Sequence, residues 1–317
     1  MVMNETVNFA DRLIAAVKKK KSPVVAGLDP VYEKLPAFLR EHYKSVGAAI
    51  FAFNKGLIDA LCDIVPAVKP QLAYYEMYGV SGMVAFQSTV DYAKQKGLLV
   101  IADGKRNDIG STSEAYAKAY LEPAAPGQAG ALREGAFDAD ALTVNPYLGI
   151  DGIQPFLTLC EKNGRGIFSL VKTSNQSSGQ LQDLLTENGK PLYQAVAELV
   201  SDWGKSTVGA CGYSAVGAVV GATYPQQAAL LRKVMPQTIF LVPGYGAQGG
   251  DARSVAVNFN PDGLGAVVNA SRSIMYAYQS PKWSERYDAA SFAEAARAEA
   301  VDMSRSILQR VAEIYGC

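Results

Sequence analysis

Short, continuous apolar runs alternate with longer amphipathic segments along nearly the whole chain. The runs cover 23–28, 64–68, 98–102, 141–144, 166–171, 215–220, 238–242 and 265–268. Being rich in Val, Ile, Leu and Ala without strict alternation, they read as strands buried on both faces. Helical spacing fills much of the chain between them. Phe9, Leu13, Ile14 and Val17 give one stripe, and Ile50, Phe51, Phe53, Leu57, Ile58 and Leu61 give a second. Segments 74–95 and 113–121 also read as helices. A long helix with Ala295, Val301, Ile307, Leu308, Val311 and Ile314 on its apolar side closes the chain, with Ser291 and Glu294 predicting a capping box. About eight strand–helix repeats predict parallel βαβ units. The fold class is therefore α/β, best read as a (β/α)8 TIM barrel. It forms a single domain over 1–317, with an N-terminal helix, a polar insertion near 175–191 and a C-terminal helix. An open doubly wound sheet competes, but no G-x-G-x-x-G opens after the first strand.

Composition narrows the partners. Thirty basic and thirty acidic side chains leave no net bias toward nucleic acid or an acidic membrane surface, so an anionic ligand needs a local site. The basic run Lys18–Lys21 reads as a solvated helix end. Cys62, Cys160, Cys211 and Cys317 are far apart, and His42 is the single histidine, which speaks against zinc and against a disulfide framework. The start of the chain lacks a basic stretch followed by an apolar one, and no run reaches membrane-spanning length. A cytoplasmic enzyme or binding protein is expected.

Chemistry collects at the strand ends. A barrel delivers the C-terminal end of every strand to one rim, which predicts a pocket bounded by Asp29, Lys69, Asp103, Lys105, Asn145, Thr173, Gln248 and Arg272. Asp103 and Lys105 are two residues apart, so on extended backbone they leave the same face, and Asp108 follows a turn. Flanking carboxylates favour an ammonium, making Lys105 a candidate proton donor. The same three residues also suit a surface ion-pair cluster. Pro243-Gly244-Tyr245-Gly246-Ala247-Gln248-Gly249-Gly250 offers glycine-exposed backbone N–H groups, and Arg272 offers a fork of donors; together they predict a phosphate grip. Asp29 suits sugar hydroxyls, or equally a helix N-cap. Segment 175–191 suits a mobile flap or an ordinary surface loop.

Several of these stretches together resemble the longer bacterial branch of the orotidine 5'-phosphate decarboxylase family. Asp103-Gly104-Lys105-Arg106-Asn107-Asp108-Ile109-Gly110-Ser111-Thr112 is similar to its D-x-K-x-x-D-I-G-x-T signature. Gly27-Leu28-Asp29-Pro30, Val68-Lys69-Pro70-Gln71, Thr143-Val144-Asn145-Pro146-Tyr147-Leu148-Gly149, Thr173-Ser174-Asn175, the 243–250 loop and Asn269-Ala270-Ser271-Arg272 follow in family order. The resemblance spans about 23–276. It implies a metal-free, cofactor-free decarboxylation of orotidine monophosphate to uridine monophosphate. It further implies that Lys105 donates the proton, that Asp103 lies beside the departing carboxylate, and that Lys69 completes the charged network and touches the ribose. Asp29 would contact ribose, Ser174 the pyrimidine, Gln248 both base and phosphate, and Arg272 the phosphate together with the loop that opens at Pro243. Asp108, Ile109 and Thr112 would enter the neighbouring subunit's pocket, so a homodimer is implied.

Three other readings remain open on the sequence. A magnesium-dependent sugar-phosphate decarboxylase or aldolase of the same superfamily shares the D-x-K-x-x-D core, but Lys69 puts a cation where an acid would be needed. A Schiff-base aldolase would use Lys69 or Lys172. A non-catalytic nucleotide-binding protein would keep the pocket without turnover.

Overall fold

A computed structural model describes residues 7–124, 136–246 and 250–316. The apolar runs become β1 (Val24–Leu28), β2 (Ala67–Pro70), β3 (Leu99–Arg106), β4 (Ala141–Val144), β5 (Gly166–Lys172), β6 (Ser214–Val220), β7 (Thr238–Val242) and β8 (Ala266–Ala270). Each pairs in parallel with the next, and β1 also pairs with β8, closing the barrel. The open-sheet alternative is thereby excluded.

Successive residues of one strand serve two different cores. Val24, Ala26 and Leu28 face outward into the layer shared with the helices, while Val25 joins Ala67, Ile101, Ala141, Phe168 and Leu241 inside the barrel. This double burial is why the strands lack polar alternation. The surrounding helices are α1 (Phe9–Lys20), α2 (Ala37–His42), α3 (Val46–Leu61), α4 (Ala73–Glu76), α5 (Gly79–Gln95), α6 (Gly110–Leu121), α7 (Ile150–Asn163), α8 (Gly179–Gln182), α9 (Leu192–Trp203), α10 (Pro225–Val234), α11 (Ala252–Ala256), α12 (Arg272–Met275) and α13 (Phe292–Tyr315). None in the described residues is long and apolar enough to cross a membrane.

The N-terminal helix plugs the floor of the barrel. Phe9 is buried and meets the Phe168 ring edge-on at 5.9 Å. Burying such a ring stabilises by about 1.5–3 kcal/mol. Its place depends on a glycine, because a Cβ at Gly166 would lie 2.2 Å from the Phe9 ring. Arg12 on α1 donates to Asp140, just before β4, which ties the plug to the strands.

Several boundaries differ from expectation. The second strand starts at Ala67, after Pro66, so Lys69 lies within it rather than beyond it. The helix expected over 74–95 breaks at Gly79, which adopts φ +57°. The capping box at Ser291 does not form: Ser291 instead donates its hydroxyl to Asp288, which also accepts the Ser291 N–H. Ile314 is exposed, and Ala300 and Met303 take the buried face of α13. The 175–191 insertion is tied to the barrel: Lys172 pairs with Asp183 at 2.7 Å, and the Gln182 side chain bonds both the N–H and the hydroxyl of Thr173.

Candidate active site

The charged centre stands on three neighbouring strands. Lys69 near the end of β2 and Asp103 in β3 point into the barrel mouth, and the Lys69 amine donates to Asp103 Oδ2 at 2.6 Å. Lys105 donates to Asp103 Oδ1, also at 2.6 Å, and Thr143 on β4 donates to that same oxygen at 2.9 Å. One carboxylate therefore serves two ammonium groups. Burial alone would push the Asp103 carboxyl up, but Lys69 and then Lys105, through charge and hydrogen bonds, hold it well below the usual range. Burial would likewise lower Lys69, yet Asp103 and Asp29 outweigh it and raise the amine above its ordinary value. Both groups stay ionised at neutral pH. Lys69 and Asp103 are buried, whereas the Lys105 side chain remains 45% exposed and free to meet a ligand.

Lys105 reaches this position by a route the spacing does not foretell. Its φ is +48°, so the backbone is left-handed there rather than extended. The β3–β4 register also slips between Ala102 and Arg106.

Across the mouth, Asp29 follows β1. Its Oδ1 is buried and has no partner, leaving an acceptor ready for a ligand donor. The loop beneath it is firmly held. Tyr75 donates its hydroxyl to the Leu28 carbonyl at 3.1 Å, and the Val31 N–H donates to the Tyr276 hydroxyl at 2.8 Å. At the end of β8, Arg272 opens α12, exposed, its guanidinium without a hydrogen bond or ion pair to any described residue. Gly27 lets β1 pass close by, since a Cβ there would sit 1.9 Å from Ser271 Oγ.

A cavity of ≈ 660 Å³ joins these groups. Of the residues singled out in the sequence, its lining includes Asp29, Lys69, Asp103, Lys105, Thr173, Ser174, Pro243 and Arg272. After β7, Gly244 and Gly246 adopt φ +101° and +71°, turning the loop, though the Gly246 N–H is used internally by the Gly250 carbonyl. Gln248 lies outside the described residues.

Of the residues expected around this pocket, Asn145 stands elsewhere. It does not line the cavity; its side chain caps the following turn by accepting the Tyr147 N–H at 3.0 Å. Asp108, Ile109 and Thr112, which the resemblance assigns to a neighbouring subunit's pocket, lie outside this chain's own cavity, with Asp108 accepting the Ile109 N–H and Ile109 54% exposed. Lys172 is 1% exposed and turned away by a register shift after Leu170, its amine 4.8 Å from the centre of the Tyr224 ring. Sequence reasoning passed over Gln71, Tyr74, Thr143 and Asn269, which all line the cavity. Gln71 and Tyr74 follow a strand end and could have been found by position, whereas Thr143 looks like any polar residue in a strand.

Chemically, the arrangement offers a fixed ammonium beside a buried anion, a vacant acceptor for hydroxyls and a free guanidinium for an anion. Comparison with known proteins agrees. The sequence model of the Orotidine 5'-phosphate decarboxylase / HUMPS family matches residues 24–287. The chain is 47% identical over 306 residues to the orotidine 5'-phosphate decarboxylase of Rhodopirellula baltica, covering 95% of this chain and 99% of that one. It is 43% identical over 281 residues to that of Caldicellulosiruptor bescii, covering 86% and 91%. The solved structure of Leishmania donovani OMP decarboxylase superposes with a TM-score of 0.73 at 28% identity, covering 96% of this chain and 99% of that one. By sequence and by architecture, this chain belongs to the orotidine 5'-phosphate decarboxylase / HUMPS family.

Proposed function

We propose that the chain converts orotidine 5'-monophosphate to uridine 5'-monophosphate, a step of pyrimidine biosynthesis. The observation that carries the reading is Asp103 held between the amines of Lys69 and Lys105 at the base of a cavity that also presents Arg272 and Asp29. Arg272 and the loop from Pro243, with Gln248, bind the phosphate. Asp29 and Lys69 take ribose hydroxyls, and Ser174 contacts the pyrimidine. That pose sets the substrate carboxylate beside Asp103. The bond from C6 to the carboxyl carbon breaks, carbon dioxide leaves, and the electron pair stays on C6. Lys105 stabilises this localised charge as it develops and then delivers its proton to C6. Enzymes lower such barriers by about 8–23 kcal/mol, and a fixed ammonium needs no reorganisation as charge appears. Phosphate binding far from C6 contributes by fixing the pose.

The Schiff-base readings fit less well. The Lys69 amine is protonated and engaged by Asp103, and Lys172 is bound to Asp183 outside the cavity. For a magnesium site, Lys69 is a cation where an oxygen ligand is needed.

We further infer a homodimer in which Asp108, Ile109 and Thr112 complete the partner's pocket. Exposed Ile109, Tyr147, Leu148 and Ile150, with Met77, Val80 and Val84 on the neighbouring βα unit, supply apolar surface for that contact. Mixing Lys105→Ala with Asp108→Asn chains tests it: subunit exchange rebuilds one intact site, so the mixture turns over substrate while each variant alone is impaired. The activity itself is tested by following loss of orotidine monophosphate absorbance with EDTA present. Sustained turnover is expected, and collapse on chelation would return the magnesium reading.

A further inference from the structure

We propose that Thr143 is a positioning residue for the decarboxylation, its hydroxyl holding both the left-handed backbone of Lys105 and the carboxylate of Asp103 in place. The proposal rests on the function assigned to Lys105 and Asp103 above and adds the residue that makes their geometry possible.

The register of β3 against β4 identifies the problem that Thr143 solves. Ala102 pairs with Leu142, and the next pairing is Arg106 with Val144. Asp103, Gly104 and Lys105 therefore face a single residue, Thr143. Such a bulge leaves ladder groups without their usual partners, and a buried backbone N–H cannot be left unpaired cheaply. The Lys105 N–H donates instead to Thr143 Oγ1 at 2.9 Å. A side chain has taken the place of a strand carbonyl.

The same hydroxyl settles its own orientation. Asp103 is ionised and can only accept, so Thr143 donates to Asp103 Oδ1, at 2.9 Å, and accepts from Lys105. A closed ring results: Lys105 N–H to Thr143, Thr143 to Asp103 Oδ1, and the Lys105 amine back to that oxygen at 2.6 Å. Both ends of Lys105 are thus tied to one carboxylate. A non-glycine residue at φ +48° persists only where its surroundings impose that conformation, and this ring imposes it. Thr143 is 1% exposed, and its branched Cβ restricts the hydroxyl to few rotamers. Small displacements of a proton donor cost large factors in rate, so a residue that acts only through Lys105 and Asp103 still governs turnover.

The test compares Thr143→Val, which keeps the shape and removes the hydroxyl, with Thr143→Ser, which keeps the hydroxyl. Thr143→Val is expected to lower kcat roughly 10- to 100-fold, the range for losing hydrogen bonds to a charged group. KM should move by less than about threefold, because the residue is not assigned to ground-state binding. Thr143→Ser should recover most of kcat. A crystal structure of Thr143→Val should show Lys105 leaving the left-handed region and its amine drawn back from Asp103. Should the valine variant not fold, Thr143→Cys weakens both bonds at similar volume and serves the same comparison. The proposal is overturned if the valine variant keeps kcat within about twofold of the parent, if serine rescues nothing, or if Lys105 is unmoved without the hydroxyl. The backbone measurement stands apart from turnover: a parent that left orotidine monophosphate untouched would sink the assigned function, while the position of Lys105 would still decide on Thr143.

Discussion

At the floor of the barrel Asp140 accepts from the Val100 N–H, Arg12 and Arg165, while at the rim Asp103 accepts from Lys69, Lys105 and Thr143. The two carboxylates are nearly equal in burial and in number of donors. Their surroundings differ. Around Asp140 the cations are used up within the protein: Arg12 also donates to the Gly164 carbonyl, and Arg165 to Asp138. Around the starts of β7 and β8, buried Arg232 donates to four backbone carbonyls and lies 3.5 Å from the centre of the Phe240 ring, although burial lowers its guanidinium to about 10. Only Arg165 Nε is left over among these groups. At the rim, Lys105 is half exposed, Arg272 has no described partner and one Asp29 oxygen is buried and unpaired. Saturated charge holds strands together, and charge left partly unsatisfied is a place for substrate.

That contrast breaks most directly at Lys105. Lys105→Ala should lower decarboxylation by at least about 10³-fold, read by orotidine monophosphate absorbance, while uridine monophosphate still binds in a titration. Unchanged turnover would remove the central assignment. At the floor the expected effect is on stability. Asp140→Ala removes the buried carboxylate that Arg12 and Arg165 share, leaving them the Gly164 carbonyl and Asp138, and should cost about 3–5 kcal/mol in urea unfolding, with kcat of the folded protein preserved. A variant that kept its stability and lost kcat would erase the distinction between the two ends. Arg272→Ala should weaken uridine monophosphate binding roughly 10- to 100-fold and leave uridine binding almost unchanged. Equal losses for nucleotide and nucleoside would rule out the phosphate role.

The smallest effect lies in pH. Asp103 is lowered in the fold, so its contribution to stability is present above the unfolded value of about 3.9 and fades as pH falls below it. Lys69 is raised, so its contribution is complete below about 10.4 and fades as pH rises beyond. Denaturant titrations of the parent and Asp103→Asn should therefore differ by a constant amount between pH of about 5 and 9, with the gap closing below about 4. A gap that closed near neutrality would place the Asp103 titration elsewhere.

Most of the barrel is legible in the sequence because strands buried on both faces leave unbroken apolar runs, as at β7, where the expected and observed bounds agree. Boundaries fail where a polar residue belongs to the strand, as Lys69 does in β2 and Lys105 in β3. The site shows a similar division. Asp29, Lys69, Asp103, Ser174 and Arg272 were readable because each stands in a run of matched motifs at a strand end. Thr143 opens such a stretch too, but its bonds to Lys105 and Asp103 arise at a register slip between strands that no single stretch reveals. Lys172 misleads for the same reason: the slip after Leu170 turns it from the cavity toward Asp183. The Ser291 pattern fails because Asp288, three residues earlier, claims the hydroxyl.

The closure of β1 onto β8 has a consequence for how the protein comes into being. Asp29 and Arg272 lie more than two hundred positions apart in the chain, yet they flank the same seam, with Val24, Val25 and Ala26 aligned to Val268, Asn269 and Ala270. A nascent chain lacking its eighth strand lacks Arg272 and leaves the β1 edge unpaired, so the proposed phosphate and ribose contacts cannot yet face one another across a closed seam. On the proposed assignment, nucleotide affinity is expected only once the two extremities of the sheet have zipped together.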